Sequence, residues 1–129
     1  MRGVPKNLPV RRFHGATLDR FKDLQNIVYW QFTSAARRWW PRRSRLLEIG
    51  VEGVWELRDK SGSLVATGSP IPPASFTVAR LPIGQVVTSS TIRAPRSFVL
   101  IFQSGDQLEV FDSIDKYESF SIPQENVYV

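Results

Sequence analysis

The nine residues Arg37–Arg45 hold Arg37, Arg38, Trp39, Trp40, Arg42, Arg43 and Arg45, with no acid among them. A guanidinium presents a planar fork of donors that meets phosphate or carboxylate two bonds at a time, and an indole presents a flat face for stacking. This pairing of residue types suits three ends. It can anchor a protein partner, since Trp and Arg dominate interface hot spots. It can hold single-stranded nucleic acid. It can also be a solvated hairpin extension, with the indoles capping the core and the arginine stems lying over them. All three remain open on sequence grounds.

Charge concentrates there. Of 17 basic residues, five are these arginines; the remaining 12 equal the 12 acids, so the net charge of +5 resides in this stretch. Residues 1–45 carry eleven basic and two acidic side chains, whereas residues 103–129 carry one and six. Such an asymmetry either neutralises itself between neighbouring ends of the fold or leaves an anion-seeking end.

Signs of catalysis are few. His14 is the single histidine, and a lone histidine in a glycine-flanked loop reads as a capping residue. Asp106, Asp112, Asp115 and Glu118 cluster in sequence. The last three could offer oxygen ligands to a divalent cation, but the spacing fits no ordered calcium loop and reads as a solvated turn. No serine sits in a nucleophile elbow, and no glycine loop is shaped to cradle phosphates. Cysteine is absent, which removes thiolate chemistry and agrees with a reducing cytoplasm. The expectation is a non-enzymatic protein with no metal site and no cofactor. The opening residues lack the apolar core of a secretory signal, and no apolar run reaches bilayer length, so no membrane association is expected.

The elements that must carry the Arg/Trp segment are strands. Ile27–Phe32 is β-branched and aromatic, Leu46–Ile49 and Gly53–Arg58 follow, and Asp59–Gly62 turns the chain into another strand. Phe98–Phe102 has no polar residue and reads as a strand buried on both faces. Ser104-Gly105 then makes a tight turn into Gln107–Phe111, which has one wet face. Tyr117–Ile122 alternates cleanly and reads as an edge strand able to pair between subunits, so monomer and homodimer are both compatible. Pro70, Pro72 and Pro73 cannot serve a sheet ladder and mark a stiff connector. The segment 13–26 suits a short helix, since Leu18, Phe21 and Leu24 recur every third residue, or a strand, by Thr17, Phe21 and the turn at Gly15.

Two halves echo each other across the connector. Gly15, Phe32, Leu47-Glu48-Ile49 and Trp55/Leu57 answer to Gly84, Phe102, Leu108-Glu109-Val110 and Phe120/Ile122. The phenylalanines are 70 positions apart and the Leu-Glu pairs 61, which gives the first hairpin nine extra residues, within 35–45. By this echo, the doubtful segment at Gly15 reads as strand, because its partner Gln85-Val86-Val87-Thr88 is strongly strand-like.

A single domain, 1–129, is expected: a loose arm 1–12, a first half 13–69, a connector 70–74 and a second half 75–129. The class is all-β, mainly antiparallel, with little helix. Roughly eight strands in two similar four-stranded halves would form a sandwich or a curved barrel-like sheet.

The run Leu108-Glu109-Val110, Asp112, Tyr117-Glu118-Ser119-Phe120 resembles a C-terminal pattern of small bacterial β-rich proteins, L-E-(I/V)-x-D-x(4)-Y-E-S-(F/W). Some of those are immunity-like accessory proteins encoded near secreted toxins. The resemblance implies packing roles for Tyr117 and Phe120 and a capping or pairing role for Glu118. It covers about a quarter of the chain and does not reach the Arg/Trp segment. The function expected is therefore protein binding through that segment, with nucleic-acid binding as the alternative.

Overall fold

The computed structural model describes residues 3–24, 27–34, 46–69, 75–78, 80–112, 120–122 and 127–128. A one-turn 3-10 helix, Val10–Phe13, precedes eleven strands: β1 Thr17–Leu24, β2 Ile27–Thr33, β3 Leu46–Val51, β4 Trp55–Arg58, β5 Leu64–Ser69, β6 Ser75–Val78, β7 Val87–Arg93, β8 Ser97–Phe102, β9 Gln107–Phe111, β10 Phe120–Ile122 and β11 Val127–Tyr128. They form two antiparallel sheets, one ordered β1-β2-β3-β10-β11 and the other β6-β5-β4-β9-β8-β7. No described helix is long and apolar enough to cross a membrane.

Alternation explains the strands and joins the sheets. In β2, Val28, Trp30 and Phe32 turn inward; in β9, Leu108 and Val110 do. Between the sheets, Trp30 meets Trp55 edge-on at 5.1 Å, with Phe21 set against both, and Phe98 meets Phe120 at 5.0 Å. Such T-shaped pairs add to the area they bury. Trp30 is fully buried, and its indole Nε1 has no hydrogen-bond partner among the described residues. β8 is buried on both faces: Phe98, Leu100 and Phe102 join the core, and Val99 on the other face is also covered. Gly105 turns β8 into β9 at φ +91°, a region where glycine alone is unstrained.

All-β architecture with two packed antiparallel sheets is as expected, but the strands are apportioned differently. The halves do not each make one four-stranded sheet. β4 leaves the first half to lie beside β9, and β10 leaves the second half to lie beside β3. The sheets also meet at one corner through a bridge between Thr17 and Val86. Around it, Gly15 N–H donates to Val87 O (2.7 Å) and Gly84 N–H to Leu18 O (2.8 Å); Leu18 N–H donates to Gln85 O and Val87 N–H to Ala16 O, both at 2.9 Å. Exchanging residues 15, 16 and 18 with 84, 85 and 87 maps this set of four bonds onto itself. Gly15 and Gly84 share φ values of +83° and +84°. A bulge follows in each strand, between Leu18 and Arg20 and between Val87 and Ser89, directly after residues that face Phe32 and Phe102.

The ladders also move the sequence alignment of the halves. Phe32 stands opposite Leu47, whereas Phe102 N–H donates to Asp106 O. Counted from those phenylalanines, the first hairpin is longer than the second by eleven residues rather than nine, so the two Leu-Glu pairs do not stand at equivalent ladder positions and the repeat is not confirmed.

Two local expectations are corrected. Residues 3–13 are not a loose arm: Val4, Leu8, Val10 and Phe13 are buried in the core. Val4 N–H is held by Pro95 O at 2.8 Å, and Gly3 N–H by the Asp112 carboxylate at 2.6 Å. Nor is residue stretch 120–122 an edge strand, since β10 is paired on both sides, by β3 and by β11. Phe120 and Ile122 both face the core, which draws the strand inside the sheet. Tyr117–Ser119 lie outside the described residues.

Candidate binding site

The Arg/Trp segment is the connection between β2 and β3. Thr33 pairs with Leu46 across the base of that hairpin. Arg37, Arg38, Trp39, Trp40, Arg42, Arg43 and Arg45 themselves fall outside the described residues. What is described is the platform they spring from. Thr33 Oγ1 donates to the Asp19 carboxylate, in the bulge of β1. Leu46 is 58% exposed. One residue before Thr33, the Phe32 ring packs edge-on against Phe13 at 5.0 Å. That contact sets the 3-10 helix, with exposed Arg11 and Arg12, at the same end of the sheet.

The remaining candidates are tied into the fold. His14 follows the 3-10 helix, its backbone N–H donating to Arg11 O, and its Nε2 shares a 2.8 Å hydrogen bond with Ser90 Oγ, the tautomer deciding which donates. No carboxylate contacts it among the described residues. Two members of the acidic cluster, Asp106 and Asp112, are buried rather than solvated. Asp106 is buried and accepts both arms of the Arg80 guanidinium, at 2.6 and 2.7 Å. This fork holds the Asp106 carboxyl below the usual carboxylate range and raises Arg80 above its ordinary value. Burial brought both Asp106 and Asp112 inward because each satisfies a group the fold leaves open: Arg80 in one case, the Gly3 amide in the other. Asp115 and Glu118 lie outside the described residues. Among the described residues no three His, Asp or Glu side chains converge as a metal site would require.

On the outer face of the second sheet, Glu56 and Glu109 stand directly opposite. Like charges so placed repel, and each is compensated: Arg58 reaches Glu56 at 3.0 Å, while Arg93 (3.3 Å) and the buried Ser97 hydroxyl (2.5 Å) reach Glu109. The Arg93 and Ser97 contacts tie β7 and β8 to β9, while the Arg58–Glu56 pair lies within β4.

Sequence reasoning missed a groove of about 460 Å³ between the N-terminal segment and β7, lined by Lys6, Asn7, Arg11, Ser90 and Ile92 among others. Only the prolines at 5 and 9 hinted that this stretch is held in one conformation. Compared with known proteins, the chain matches no family model, no curated protein and no solved structure.

Proposed function

We propose that this chain is a non-enzymatic interaction protein that engages an acidic face of a protein partner through the connection between β2 and β3. The observation that carries the reading is an inequality between two corresponding hairpins. One passes from Phe102 to Asp106 through the three residues Gln103–Gly105; the other passes from Phe32 to Leu47 through residues 33–46, and its sequence holds the protein's surplus positive charge. Arg and Trp side chains on a loop borne by a rigid sheet are the usual composition of a protein-binding hot spot. The resemblance of Leu108–Phe120 to a pattern of immunity-like proteins is in keeping with a partner of the toxin class. The test replaces Trp39 and Trp40 with Ala and the five arginines with Ser in the full chain. The reading expects captured partners to be lost while the melting temperature holds; an unchanged set of partners overturns it.

Nucleic-acid binding is the second reading, favoured by the interleaving of Arg with Trp. It requires affinity for a single-stranded oligonucleotide that falls steeply with salt. Absence of binding at low salt excludes it.

A further inference from the structure

We propose that the groove between residues 6–11 and β7 is a binding site for an oxyanion head group, phosphate or carboxylate, carried on a small partly apolar ligand. Its cations are uncommitted: Lys6 and Arg11 are exposed and have no acidic partner among the described residues, and no acidic side chain lines the groove. Asn7 adds an amide and Ser90 a hydroxyl, so residues with four kinds of side-chain donor line one space. Ile92 and Pro9 supply apolar wall, and the volume falls in the range of small-molecule sites.

The donors stand on a backbone that is already ordered. Leu8 N–H donates to Pro5 O at 3.2 Å and Val10 N–H to Leu8 O at 2.8 Å, while Gly3 and Val4 are held by Asp112 and Pro95. The buried side chains of Leu8 and Val10 anchor the segment from beneath. Pro5 and Pro9 restrict it further. On the opposite wall, His14 Nε2 bonds Ser90 Oγ and orients it. An anion arriving here meets a backbone whose ordering cost has been met in folding, which favours affinity. Charge-assisted bonds from a guanidinium and an ammonium provide the strongest contacts.

The experiment is a titration of the full chain with phenyl phosphate, benzoate and phenol, followed by backbone and side-chain NMR. The expected result is saturable shifts centred on Lys6, Asn7, Arg11 and Ser90 with the two anions and none with phenol. Saturation by phenyl phosphate alone narrows the ligand to phosphate esters; saturation by both keeps either oxyanion. The double variant Lys6→Gln/Arg11→Gln should weaken binding by about tenfold or more, the scale of losing charge-assisted bonds. Ser90→Ala provides a second, milder variant should the first lose stability. The variant lacking the Arg37–Arg45 charges should titrate unchanged, which separates this site from the hairpin. Equal shifts with phenol, shifts that do not saturate, or affinity indifferent to both groove variants would overturn the proposal.

Discussion

Gly68 stands opposite Trp55 in the β4–β5 ladder, and the Trp55 indole fills the space that a β-carbon on Gly68 would need, with ring atom Cε2 only 2.7 Å from that point. Trp55 is the second sheet's contribution to the aromatic cluster with Trp30 and Phe21. A glycine on the neighbouring strand is what lets so large a ring lie flat against the sheet. Gly68→Ala should therefore displace the indole and destabilise the protein by about 1–3 kcal/mol, the usual cost of overpacking. Chemical denaturation measures it, and a changed near-ultraviolet spectrum should accompany the loss.

Asp106 links stability to acidity. Because Arg80 depresses its folded-state pKa, the unfolded chain binds this proton at a higher pH than the folded one does. The stabilisation is therefore fully present above the ordinary carboxylate pKa and fades as pH falls through the folded value. Arg80→Gln should lower the melting temperature by several degrees at pH 7 and by much less near pH 3. Equal losses at the two pH values would refute this account.

The N-terminal segment should behave as core. Leu8→Ala should cost about 2–4 kcal/mol, as for other buried leucines. Deleting residues 1–13 removes four buried apolar side chains, each worth about 1.5–3 kcal/mol, and should leave no cooperative transition in a thermal melt. A truncated chain that melts normally would show the segment to be dispensable.

The hairpin connection should be the reverse. Replacing residues 34–45 with Gln-Ser-Gly, the turn that joins β8 to β9, shortens a loop without removing any of the buried core residues named above. Loop-closure entropy changes slowly with length, so the effect should be a gain of about 1 kcal/mol or less. Calorimetry checks the stability, and partner capture should fail in the same variant.

Much of the fold was legible because burial alternates along β2 and β9 and is continuous in β8. Those patterns reflect local geometry, one residue against its near neighbours. What was not legible depends on partners far along the chain. Phe120–Ile122 has the alternation of an edge strand, yet β3 lies about seventy residues upstream and claims one of its flanks. Val4, Leu8, Val10 and Phe13 follow no regular period, so their burial left no trace amid prolines and basic residues. The burial of Asp106 left no sign in the sequence because its partner Arg80 is 26 positions away. The candidate site divides along the same line: Arg37–Arg45 stands out by composition, whereas the groove needs Ser90 brought to Lys6 by the path of the backbone.

The exchange of β4 and β10 between the two sheets also bears on synthesis. When β3 leaves the ribosome, the neighbour for its open flank, Phe120–Ile122, has not yet been made, and β4 likewise waits for β9. The first half thus emerges as a nascent chain with unpaired strand edges, exposed to aggregation. Both sheets close only once β9 and β10 have followed, so each half completes the other.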